Sequence, residues 1–320
     1  MELFRLRISF AIFLCLLTYP CSARYSSLEV PVDTPAVAVP ADSIPRDGGT
    51  SSASGNLIRL TPLHIIVMTG ADLRDQAEAP FTMSWDNATK VFLAAGITGG
   101  LLLLDDRIDE AVHSLRGRNP FIKNSTESVT ELGGRYGLIG SAAFAGYSLI
   151  WNDHKAQETS LLLGQAILTS GIWARAGKLI FGRERPSYSH EHDQSAGGHW
   201  SGMAGRMSDR FNNPARYDAF PSGHATTVFA IATVFANQYD DIAGIPEISY
   251  GIATLVGISR IINRTHWASD VFVGGCLGYL CAKQVIDTYR AGYLPIAGLS
   301  VNIGIDYYRD APLLSMSVRY

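Results

Sequence analysis

Six apolar segments constrain the fold more than any other feature of this chain: Val91 to Leu104, Tyr136 to Asn152, Thr159 to Ile180, His224 to Asn237, Ile248 to Ser259 and Val271 to Ile286. Gly and Ala are frequent in them and no two-residue alternation runs through them, so the pattern predicts helices rather than strands. Runs of small residues such as GITGG and GSAAFAG let helices approach one another closely. None offers 18 uninterrupted apolar residues, and Arg175 and Lys178 break the third. Short membrane-spanning helices and a compact secreted bundle are therefore both open readings. Either is an all-α core of six helices. A hydrophobic content of 47% supplies its interior, and the mean hydropathy of +0.10 lies between soluble and polytopic membrane chains. A net charge of −3 argues against nucleic acid as a partner.

The flanks differ in kind. Residues 1–23, MELFRLRISFAIFLCLLTYPCSA, read as a secretory signal peptide: Arg5 and Arg7 give the positive start, Ile8 to Leu17 the apolar centre, and Cys21-Ser22-Ala23 the small-residue cleavage site. An uncleaved anchor is the alternative. Export to the cell envelope, to the periplasm, is the expectation. Residues 24–56 are rich in Pro, Ser, Gly and Ala and read as a linker. The helical domain is expected over 57–291. Over 292–320, LSVNIGIDYY and LLSMSVRY alternate apolar and polar residues across an RDAP turn, predicting a short C-terminal β-hairpin. The terminal Tyr320 resembles the ending of outer-membrane barrels, but two strands cannot close a barrel. Cys276 and Cys281, five apart on a helix, point about 140° from each other and read as small buried hydrophobes.

The residues between the apolar segments carry the chemistry. In KLIFGRERP, Lys178 and Arg185 are seven apart and would share a helix face. In FPSGHATTVFA, Pro-Ser-Gly reads as a helix start with Ser222 as cap. Such an end offers free N–H groups and partial positive charge to a phosphate. Gly223 permits close approach, and His224 would lie beside the anion. In SRIINRTHWASD, Arg260 is a bidentate oxyanion donor, and His266 and Asp270 are four apart. A carboxylate accepting one imidazole N–H would leave the other nitrogen free as a nucleophile. Residues 105–135 and 187–219 read as long connections. Asp105, Asp106, Asp109 and Glu110 read as a solvated helix end rather than a cation site. His190, His192 and His199 lie in a Gly/Ser-rich loop, which lacks the fixed geometry a metal site requires.

Lysine, six residues, Arg-Pro; then Pro-Ser-Gly-His; then Ser-Arg, five residues, His, three residues, Asp: this order resembles the three-part signature of the type 2 phosphatidic acid phosphatase and vanadium haloperoxidase superfamily. The resemblance covers about Val91 to Ile286. It implies a phosphatase using neither metal nor cofactor. Lys178, Arg185, Arg260, Ser222 and Gly223 would hold the phosphoryl group, His266 would attack it, Asp270 would orient His266, and His224 would be the general acid. The expected substrate is a phosphate monoester or pyrophosphate of a membrane lipid, the expected setting a membrane, with a homo-oligomer compatible. A soluble broad-specificity acid phosphatase of the same superfamily and a non-catalytic anion-binding module are the alternatives. Arg183, Glu184 and Arg264 lie outside the signature and read as solvated surface charges. Trp267 reads as a packing residue.

Overall fold

The computed structural model describes residues 62–189, 197–208, 213, 215–290, 294–296, 299–308 and 311–319; the signal-like segment and the linker lie outside them. Ten helices occur among these residues: α1 (Pro62–Thr82), α2 (Trp85–Arg118), α3 (Pro120–Leu132), α4 (Arg135–Ile150), α5 (His154–Phe181), α6 (Pro186–Ser189), α7 (Gly202–Ser208), α8 (Gly223–Gln238), α9 (Ile245–Ile262) and α10 (Ala268–Arg290). The apolar segments of the sequence fall in α2, α4, α5, α8, α9 and α10, Asn152 lying just past α4. Local chemistry sets the boundaries. The Asn119 side chain accepts from the N–H groups of Phe121 and Ile122 to start α3, Asp153 accepts from Ala156 N to start α5, and Ser222 from Ala225 N to start α8. Gly182, in the left-handed region at φ 50°, ends α5 by donating to Lys178 O.

Helix α8 occupies the centre. Its Ala230 and Val234 pack with Leu162, Leu163 and Ala166 of α5 and Ala282, Val285 and Ile286 of α10. Its Val228 and Ala232 meet Ala253 and Val256 of α9. The approach of α10 depends on missing side chains. A Cβ on Gly278 would collide with Thr226 O and Ala230 N, and one on Gly274 with Ser222 O. The α8 N-terminus is thereby pressed against the start of α10.

Residues 105–135 correct the sequence reading. They are helix almost throughout, because α2 continues to Arg118 and α3 follows after one residue. The polar residues of this stretch suggested a connection, but several turn inward: Asp105 and Asp109 are buried. Large apolar side chains also face outward. Phe92, Leu93, Ile97 and Leu103 of α2 are exposed, as are Ile248, Ile252, Leu255 and Ile258, one stripe along α9. These two helices are long and apolar enough to cross a bilayer.

Three strands follow the helices: β1 (Leu294–Ile296), β2 (Leu299–Tyr308) and β3 (Ala311–Arg319). They form one antiparallel sheet in sequence order, with Leu294 opposite Val301 and Tyr308 opposite Ala311.

Candidate active site

The three charged segments come from different helix ends. Lys178 lies in the last turn of α5, and Arg260 in that of α9. Gly223 and His224 open α8 behind the Ser222 cap. His266 lies in the turn between α9 and α10, two residues before α10 begins. Arg185 corrects an expectation, because α5 stops at Phe181 and Lys178 and Arg185 do not share a helix face. The chain turns at Gly182 and returns Arg185 to the same place by another route.

Electrostatics record the convergence. His266 is pushed well below its ordinary value, first by burial and then by the charges of Lys178, Arg260 and Arg185. His224 is lowered to about 4 by burial and by the same three cations. Lys178 Cε lies 3.7 Å from where a Cβ on Gly223 would stand. A single carboxylate oxygen, Asp218 Oδ2, serves both Lys178 Nζ at 3.1 Å and an Arg185 guanidinium nitrogen at 3.4 Å. Arg260 is 7% exposed, and its Nε has no hydrogen-bond partner among the described residues; nor has Arg185 Nε. A buried guanidinium with unmade bonds is costly, and an anion supplies both the charge and the acceptors. Asp218 carried no signal in the sequence, since one aspartate in a loop belongs to no spacing pattern.

His266 differs from expectation in its partner. Its Nδ1 lies 2.7 Å from Ala219 O. A carbonyl only accepts, so Nδ1 carries the proton and Nε2 presents a lone pair. Asp270 Oδ2 is 3.9 Å from Nδ1, too far for a hydrogen bond. The four-residue spacing promised helical adjacency, but His266 precedes the helix. Asp270 instead accepts from Trp267 N at 2.8 Å and from Arg183 at 2.6 Å, and its own carbonyl accepts from Ser222 N at 3.0 Å.

Three residues read as solvated are not. Arg183 and Glu184 are buried, Glu184 pairing with Arg216 at 2.7 Å. Arg264 makes a two-pronged pair with Asp109, at 2.9 and 2.8 Å. Asp105, Arg216 and Asp109, which pair with Arg183, Glu184 and Arg264, lie far away in sequence or outside any motif, which is why spacing could not reveal them. Trp267 is buried, as a packing residue should be, and also donates to Glu184 O at 2.8 Å. Over His224 sits the α3–α4 turn: a Cβ on Gly134 would stand 2.8 Å from His224 Nε2. Among the described residues no three His, Cys, Asp or Glu side chains are grouped to hold a metal ion; His190 and His192 lie outside those residues.

Residues 159–291 match the family model described as the PAP2 superfamily, and this segment contains all three motifs. That part of the chain is similar to PAP2 domains. Curated relatives include a lipid A 1-phosphatase of Porphyromonas gingivalis, 30% identical over 186 residues, 57% of this chain and 35% of that protein. A lipid A 1-phosphatase of Rhizobium etli is 30% identical over 113 residues, 35% of this chain and 42% of that protein. The chain thus spans well under half the length of these relatives. Among solved structures, LpxE of Aquifex aeolicus superposes with a TM-score of 0.44 at 23% identity, over 57% of this chain and 95% of that one. A transmembrane PAP2-type phosphatidylglycerolphosphate phosphatase from Bacillus subtilis gives 0.43 at 22%, over 63% and 92%.

Proposed function

We propose that this chain is a membrane-associated phosphatase that hydrolyses phosphate monoesters or pyrophosphates of membrane lipids through a phosphohistidine on His266. The observation that carries the reading is Arg260, buried with an unpartnered Nε and acting electrostatically on two imidazoles alongside Lys178 and Arg185. Those three cations, with the Ser222 hydroxyl and the Gly223 amide, hold the phosphoryl oxygens and offset the charge that develops during transfer. No metal is assigned a role. His266 Nε2 attacks phosphorus in line, the bond from phosphorus to the leaving oxygen breaks, and His224 gives that oxygen its proton. Water then attacks the phosphorus of the phosphohistidine as His224 takes a proton from it, releasing inorganic phosphate and His266.

A phosphate dianion among the cations raises the low His224 value, so substrate brings the acid to its protonated form. The names of the curated relatives make the 1-phosphate of lipid A the first substrate to try. The exposed apolar faces of α2 and α9 suit lipid contact. Within this reading residues 57–291 form the catalytic domain, 1–23 direct export to the envelope, 24–56 form a linker, and the C-terminal hairpin is an accessory element. Phosphate-labelled lipid A and phosphatidate in mixed micelles, quenched with alkali to preserve phosphohistidine, provide the test. Wild type should carry base-stable, acid-labile label that His266→Ala lacks. Label persisting in that variant would place the nucleophile elsewhere.

A further inference from the structure

Arg183 stands outside the three-part signature, yet it is 1% exposed and spends every N–H it has. Its Nε donates to Gly197 O at 3.0 Å. One terminal nitrogen donates to Ser269 Oγ at 2.7 Å and Asp270 Oδ1 at 2.6 Å; the other donates to Asp105 Oδ2 at 2.8 Å and Gly197 O at 2.7 Å. The guanidinium lies over two rings, 4.7 Å from the centre of Trp200 and 5.1 Å from that of Trp267. Five donors meet five acceptor contacts, so none remains for a ligand.

The surroundings of Arg183 lead to His266 from both sides. Its carbonyl accepts from Ala219 N at 3.0 Å, and Ala219 O receives the His266 Nδ1 proton. Its guanidinium holds Asp270, which accepts from Trp267 N, the residue after the histidine. Asp105 of α2 closes the arrangement by accepting from Ser269 N at 3.1 Å as well as from Ser269 Oγ. Asp109, one turn along α2, grips Arg264 two residues before His266.

We infer that Arg183 and Asp105 are positioning residues: together they fix the turn carrying His266, so that Asp270 acts on the histidine through Arg183 and the turn backbone rather than by direct contact. The inference rests on the phosphatase reading for its kinetic consequence but not for its geometry. Lysine retains the charge of Arg183 but has a single nitrogen, which cannot span Gly197, Asp105 and Asp270 at once. Asp105→Asn keeps the size of the side chain and removes its charge.

Two measurements test it, each on wild type, Arg183→Lys and Asp105→Asn. Calorimetric titration with inorganic phosphate counts competent sites, and turnover is then expressed per site. Both variants should bind phosphate within about twofold of wild type, while turnover per site falls about 10²-fold for Arg183→Lys and about tenfold for Asp105→Asn, the range expected when a reacting group is displaced by an ångström or less. A merely structural role predicts fewer sites with unchanged turnover at each, and that result overturns the inference. The second measurement needs no activity. Wild type should show a downfield imidazole Nδ1 proton resonance, assigned by its loss in His266→Asn, and Arg183→Lys should lose or broaden it. A resonance unchanged in both variants overturns the inference too. A wild type that shows the resonance but hydrolyses no lipid phosphate would count against the phosphatase reading alone.

Discussion

At the residue scale, the site sets three cations, Lys178, Arg185 and Arg260, against two imidazoles that stay neutral among them. His224 and His266 both bind protons less readily in the folded chain than in the unfolded one, whose value is near 6.5. The unfolded state therefore takes up protons first as pH falls, and acid favours unfolding. The two histidines should therefore add stability as pH rises between about 4 and 6.5, the window given by His224, while Asp72 and Asp270, raised by burial to about 7 and about 6, act in the opposite sense. Thermal unfolding of wild type and His224→Gln at pH 5 and pH 7 isolates the histidine part: the change from pH 5 to pH 7 should be more positive in wild type than in the variant. Added phosphate should shrink the difference, because an anion among Lys178, Arg185 and Arg260 brings both histidines back toward their ordinary value. A change equal in wild type and the His224 variant would mean that the three cations do not bear on that imidazole.

At the element scale, the position of the anion site follows from how closely α10 lies against α8. Gly274 and Gly278, one turn apart, remove the side chains that would separate them. The Ser222 N–H then reaches the Asp270 carbonyl at 3.0 Å, and an Asp270 carboxylate oxygen lies 3.9 Å from His266 Nδ1. Gly278→Ala places a methyl against Thr226 O and Ala230 N, both backbone atoms that cannot step aside. It should cost about 1–3 kcal/mol, the usual range for overpacking, and lower the melting temperature. Gly251→Ala on α9, where a Cβ meets nothing within 4 Å, is the control and should leave stability near wild type. The helices around this contact were legible in the sequence because glycine, alanine and aliphatic residues recur without a strand period. Helix α3 was not. Its polar residues resembled a connection, and only the Asn119 cap and Pro120 at its start marked a boundary.

At the scale of the whole molecule, the outside of the bundle is as informative as the inside. Apolar faces on α2 and α9 stay exposed, with Trp85 and Phe81 beside them at the α1–α2 corner. Such area is unusual on a monomeric soluble protein and suits lipid. The full chain should therefore float with liposomes in a density gradient and resist extraction by high salt, which removes proteins held by charge alone. Recovery in the soluble fraction without detergent would refute this. Read by itself, the sequence determined the helical class and the order of the three charged motifs, because periodicity and spacing are local properties of a chain. It also marked the Ser222 cap, since a cap bonds within its own helix. What only the tertiary structure decided was which charge meets which. Arg183 finds Asp105 across 78 positions and Arg264 finds Asp109 across 155, while the His266 proton goes to Ala219 rather than to the nearby Asp270. Such pairings depend on where helices end and how closely they pack, and no spacing along the chain encodes that.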